Sequence, residues 1–143
     1  MRRAFTLLEI ATVLAIIGLL AAMTIPTYAS FTARARVMEA TTLLETIAHA
    51  ELRHQRDRGH ALPCPKTPAT VPAATAVPFE SSGPWQAIGF QLAGPVRYSY
   101  RVDVDPDGAW RVVAEGDLDG DGVLSTLTLD GRTLAHTAKD ELE

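Results

Sequence analysis

The chain has 143 residues, 47% of them hydrophobic and 21% charged, with 13 basic against 17 acidic side chains and a net charge of −4. That length holds one domain, or one domain with a long appended element, and the acidic balance excludes a generic nucleic-acid surface. Ten glycines and nine prolines exclude collagen-like and wholly disordered chains, and a single cysteine, Cys64, excludes an intramolecular disulfide and every multi-cysteine metal knuckle.

From Phe5 to Tyr28 the residues run FTLLEIATVLAIIGLLAAMTIPTY, 24 positions with Glu9 as the single charged side chain. About 20 apolar residues in a helix cross the hydrocarbon core of a bilayer, so the segment predicts one membrane helix. Arg2 and Arg3 precede it, which keeps the N terminus cytoplasmic and sends the chain beyond about residue 30 to the other side. A cleaved secretory signal has a shorter apolar core with a small-residue cleavage site after it. Here the run continues to about residue 25 and passes through Pro26 into an amphipathic stretch. Two readings remain, an uncleaved anchor and a processed subunit, and Glu9 separates them. An acid near the start of a membrane helix is costly unless it finds a partner or snorkels to the headgroups.

The block Phe5-Thr6-Leu7-Leu8-Glu9 follows the short basic stretch Met1-Arg2-Arg3-Ala4 and runs on unbroken to Gly18, Pro26 and Tyr28. It resembles the class III signal of type IV pilins and type II secretion pseudopilins. The resemblance implies that a prepilin peptidase cuts between Ala4 and Phe5 and methylates the new amine. The family has glycine before the cut where this chain has Ala4; both are small, so cleavage is expected to persist. It also implies that Glu9, one helical turn from the new amine, meets the N terminus of a neighbouring subunit as helices stack into a filament. The pairing would neutralise two buried charges, and a buried charge left alone costs on the order of several kcal/mol. Pro26 is expected to kink or locally loosen the helix, because it removes a hydrogen bond and clashes with the preceding turn.

The helix is predicted to continue past the membrane. No glycine or proline occurs from Ala29 to Arg58. Val37, Ala40, Leu44, Ile47, Ala48 and Leu52 fall at spacings of three and four, an apolar stripe. Arg34, Arg36, Glu39, Glu45, Glu51 and Arg53 are assigned to the opposite face. A continuous helix from Phe5 to Arg58 would be roughly 80 Å long. Gly59 ends it, and residues 59–84 read as a proline-, alanine- and threonine-rich surface loop, with Cys64 packed beneath it. Val96, Tyr98, Tyr100, Val102 and Val104 alternate with polar residues, a strand signature. Asp107-Gly108 supplies a hairpin turn into Trp110–Ala114. Leu124 to Leu129 suggests a third strand, and Asp130-Gly131 turns the chain into Thr133–His136. The expectation is an α+β chain: a leader at 1–4, a hydrophobic helix at 5–29, and a head at 30–143. In the head, the amphipathic helix packs on an antiparallel sheet of three or four strands within 85–143, the architecture of a pilin.

Asp117, Asp119 and Asp121 alternate in a glycine-bearing turn and resemble the first half of a calcium loop. The twelfth position of an EF-hand would be Thr128, which cannot give a bidentate carboxylate, so an EF-hand is rejected. A looser calcium site on the three aspartates stays open beside the plain reading as an Asp/Gly turn. His49, His54, His60 and Cys64 lack the paired short spacing of a zinc site and read as solvated or packed side chains. No nucleophile–base pair, phosphate loop or carboxylate dyad stands out, so an enzyme is not expected.

The resemblance implies a structural role with no required cofactor: a type IV pilus subunit, inserted in a bacterial inner membrane as a precursor, processed, and polymerised with its own copies into an extracellular filament. The partners implied are the prepilin peptidase, an inner-membrane platform protein and its ATPase, with nucleic acid contacted indirectly if at all. Motility, adhesion or DNA uptake would follow. The alternatives are a minor pilin or pseudopilin, and, in a different class, an uncleaved anchor carrying a periplasmic ligand-binding domain.

Overall fold

Helix α1 spans Leu7–Arg58, 52 residues without interruption, in a computed structural model that describes residues 5–73 and 75–139. The chain divides into two units, Met1–Arg34 and Ala35–Glu143. In the first, α1 presents bare apolar side chains, among them Leu7, Val13, Leu14, Leu19 and Ile25. The helix is the one element among the described residues long and apolar enough to cross a membrane. The helix runs through Pro26, which has no N–H to close its own turn.

In the second unit the same helix becomes amphipathic. Val37, Ala40, Leu44, Ile47 and Ala48 are buried as the spacing predicts, Leu52 is half-buried, and Ala50 joins them. The helix ends where Gly59, at φ 81°, takes the left-handed conformation that a residue with Cβ resists. Its N–H closes the last turn on Gln55 O at 2.8 Å. Arg56 and Arg58 sit in that turn, where their charge opposes the helix dipole.

The stripe packs on a five-stranded antiparallel sheet in the order β1-β4-β5-β6-β7. The strands are β1 Cys64–Thr67, β4 Ser99–Val104, β5 Trp110–Gly116, β6 Ser125–Asp130 and β7 His136–Lys139. A separate two-stranded ribbon joins β2 (Val77–Pro78) to β3 (Pro95–Val96), with the short helix α2 (Pro84–Ala87) between them in sequence. Register aligns Tyr100 with Ala114 and Leu127, and Val102 with Val112 and Leu129. These rows are buried in one core with the helix stripe. Burying each large apolar side chain of this kind contributes about 1.5–3 kcal/mol.

The α+β architecture is as expected, and three local readings change. The stretch 59–84 is not all loop: it contributes the edge strand β1, paired at Cys64↔Val102 and Thr67↔Tyr100 across an irregularity. Pro63, Pro65 and Pro68 argue against a strand in sequence, yet an edge strand tolerates proline because one side of it needs no ladder N–H. The alternating run from Val96 to Val104 is broken, since Val96 pairs with Val77 in the small ribbon and β4 begins only at Ser99. The last strand starts at His136, because Gly131–Ala135 form the turn. In that turn Leu134 N donates to Asp130 O, and the Asp130 carboxylate accepts the N–H groups of Arg132 and Thr133.

Two glycines accommodate the core aromatics. A Cβ on Gly131 would lie 2.3 Å from the ring of Trp110, and one on Gly116 would lie 2.8 Å from Tyr98. On the other sheet face, Glu115 binds Lys66 Nζ at 2.6 Å and also Arg101, while Arg101 and Arg111 share Asp103. Partial burial opposes ionisation of Glu115, but hydrogen bonds from Lys66 and Arg101 outweigh it and hold its pKa below the usual carboxylate value.

Stability of three variants of the full chain in detergent checks this packing. Gly131→Ala is expected to lose about 1–3 kcal/mol by overpacking against Trp110. Gly94→Ala, where nothing lies within 4 Å of the added Cβ, should change stability by less than about 0.5 kcal/mol. Glu115→Gln is expected to cost about 1–2 kcal/mol at pH 7. Because the folded-state pKa of Glu115 is depressed, its contribution is full above the unfolded value of 4.5 and fades as pH falls through the folded one. Denaturation curves of the wild type and of Glu115→Gln should therefore converge in acid.

Candidate functional site

The residues singled out for processing and assembly lie at the head of α1. Ala4 falls outside the described residues, while Phe5 stands 78% exposed just before the helix. Thr6 and Glu9 form a reciprocal cap. Glu9 N–H donates to Thr6 Oγ1, and Glu9 Oε2 accepts from Thr6 N–H and Thr6 Oγ1, each at 3.2 Å. This is a capping box, Ser/Thr-x-x-Glu, which satisfies two of the donors a helix start leaves open. The Thr6-Leu7-Leu8-Glu9 spacing carries it in plain sight, but sequence reasoning weighed Glu9 only as a charge. The box fixes the carboxylate at the end of the helix nearest Phe5. Around it Phe5, Ile10, Val13 and Leu14 line an open apolar concavity that includes Glu9. Pro26 lies farther along the same helix. Chemically this surface offers one anchored carboxylate on an otherwise apolar rod, an arrangement suited to meeting a single cation in a nonpolar setting.

The three aspartates do come together. One carboxylate oxygen from each of Asp117, Asp119 and Asp121 lies within 4.8 Å of the others, near enough for one cation. The turn also spends them internally. Asp117 accepts from the N–H groups of Gly120 (2.7 Å) and Gly122 (3.1 Å), Asp119 from Asp121, and Asp121 from Val123 (2.7 Å). Gly120 and Gly122 take φ of 83° and 89°, which the tight turn requires. Arg36 on α1 donates to Leu118 O at 3.1 Å and so ties this turn to the helix.

Two assignments made from the helical pattern are corrected here. Glu51 is not on the polar face but completely buried, its Oε1 accepting Leu62 N–H at 2.5 Å. Burial pushes its pKa up. His54, read as solvated, is half-buried, with its Nε2 buried and without a hydrogen-bond partner. Cys64 is buried as expected, and burial raises its thiol to about 12, leaving it neutral. No catalytic constellation emerges around any of these groups among the described residues.

No family model matches the chain, and no solved structure matches it. Curated relatives do. A fimbrial protein of Neisseria meningitidis serogroup A is 38% identical over 77 residues, covering 54% of this chain and 45% of the relative. A type IV major pilin protein PilE of Neisseria gonorrhoeae is 36% identical over the same length, covering 46% of the relative. A fimbrial protein of Moraxella nonliquefaciens is 50% identical over 44 residues, 31% of this chain and 29% of the relative. The chain thus spans less than half the length of the relatives it matches. Over about half of its own sequence, and in an α+β architecture built on one long helix, the chain is like the type IV pilins.

Proposed function

We propose that the chain is a structural subunit of a type IV pilus. The observation that carries this is the single carboxylate, Glu9, capped at the head of a helix whose surrounding surface is exposed and apolar. A helix of this kind is stable in a bilayer before assembly and among other copies of itself afterwards, because each setting removes its side chains from water. Prepilin peptidase removes Met1 to Ala4, and the methylated amine of Phe5 becomes the cation that Glu9 of a neighbouring copy meets. A platform protein and its ATPase drive extrusion from the inner membrane to the surface. The fimbrial and major-pilin names of the relatives support the reading.

Intact mass and N-terminal sequence of the protein in sheared surface material test it. A methylated Phe5 start in abundant surface protein is the expected result. Processed protein confined to the membrane fraction would instead make the chain a minor pilin or pseudopilin, and a retained leader on every copy would leave only the anchor. Glu9→Ala is expected to abolish surface filaments while membrane insertion persists, since an unpaired buried amine costs about 3–5 kcal/mol. Filaments of wild-type abundance in that variant would remove Glu9 from assembly.

Calcium on Asp117, Asp119 and Asp121 belongs to the same proposal, as an ion that secures the β5–β6 turn in a chain without a disulfide. Chelation is expected to lower the melting temperature of the full chain by about 4–8 °C, equivalent to about 1 kcal/mol for a head of this size. An identical melting temperature with and without chelator would end the calcium role.

A further inference from the structure

The C-terminal end of α1 carries an unexplained polar cluster. Glu51 is 0% exposed, and while Oε1 holds Leu62 N–H, Oε2 has no hydrogen-bond partner. One turn later His54 buries Nε2, also without a partner. Orphaned buried polar atoms are rare because each forfeits its hydration, and here two stand at positions i and i+3 of one helix face. Glu-x-x-His at that spacing projects a carboxylate and an imidazole to the same side, the arrangement by which helices present metal ligands.

A third donor follows directly. His60, just past Gly59, sets its ring edge-on to His54 with centroids 5.8 Å apart. Its Nδ1 lies 3.2 Å from Arg58 O. With Nδ1–H donating there, Nε2 keeps the lone pair, and a backbone carbonyl is the outer partner that metal-bound imidazoles commonly use. Glu51 interacts electrostatically with both rings.

We propose that Glu51, His54 and His60 form a binding site for a divalent transition metal of the zinc class. Two imidazoles and a carboxylate are a ligand set of open zinc sites, with the fourth position left to water. Glu51 Oε2 and His54 Nε2 would be the site's buried donors. His60 is exposed and would close the solvent side; the three donor atoms do not all lie within 4.8 Å of one another as those of the Asp117 turn do, so binding requires a side-chain movement, which an exposed His60 is free to make. The bound ion would staple the end of α1 to the chain leading into β1. Hard cations prefer the all-oxygen Asp117 turn, and imidazole nitrogen selects zinc-like ions.

The test is equilibrium titration of the full chain in detergent with Zn2+, and with Co2+ as a spectroscopic substitute, in excess Ca2+ and Mg2+ to occupy oxygen-only sites. The expected result is saturable binding of one ion, with cobalt absorption of a low-coordinate site. His54→Ala and His60→Ala should each weaken binding by about tenfold or more. Glu51→Gln, which keeps an oxygen for Leu62 N–H, should do the same, and His49→Ala on the exposed face should not. Because His60 is exposed, its variant is expected to keep the wild-type melting temperature in chelator, which separates lost binding from lost folding. No saturable binding by the wild type, or wild-type affinity in both His54→Ala and His60→Ala, would overturn the site.

Discussion

The packing of the stripe Val37–Glu51 against the inner face of the sheet is the interaction on which the globular unit depends. Neither partner is stable alone: an isolated amphipathic helix is marginal in water, and a sheet with one apolar face must cover it. Joined, they form one core containing Leu44, Ile47, Tyr100, Val112 and Leu129. Polar tacks then fix the helix along its length. Glu45 meets His136 at 3.2 Å, and Gln55 accepts from Trp110 Nε1 at 3.3 Å. Surface contacts of this kind contribute modestly, so the area buried beneath them dominates and the tacks select the registration.

The other half of α1 has the opposite problem. Its surface is apolar, and an 18-residue window of the helix is wholly unburied within the chain. Each large apolar side chain left in water forgoes about 1.5–3 kcal/mol, so this segment requires an apolar environment from elsewhere. Thr6 and Glu9 cap each other within that segment, which holds the carboxylate at the helix head and leaves its charge to be met by a cation.

Several polar groups that the fold buries are closed by partners from distant parts of the chain. Trp85 donates its indole N–H to Pro65 O and Thr67 Oγ1, both at 3.0 Å, and so anchors β1 while its ring packs against Phe79 at 5.2 Å. Ser99 Oγ donates to Pro68 O at 2.7 Å, tying the proline-rich segment to β4. Among the described residues Glu51 Oε2, His54 Nε2 and Arg97 Nε break this pattern; the first two stand three residues apart on one helix, which is why they draw a functional reading.

Sequence by itself determined the long helix, its change of character near residue 30 and the end at Gly59, because hydrophobic periodicity and a glycine stop are local signals. It also carried the resemblance at Phe5–Glu9 and the hairpin turn at Asp107-Gly108. Tertiary structure decided what local signals cannot. The β1 segment becomes a strand only because β4 offers it an edge, and proline punctuation hides that in the chain. Val96 leaves the run it seemed to begin because Val77, nineteen positions earlier, pairs with it. Glu51 sits beside the apolar stripe at a position that patterning gives to solvent, and it is buried because the chain folds back to present Leu62 N–H to it. Burial of a charge depends on which backbone donor arrives from a distance, and helical spacing holds no record of that.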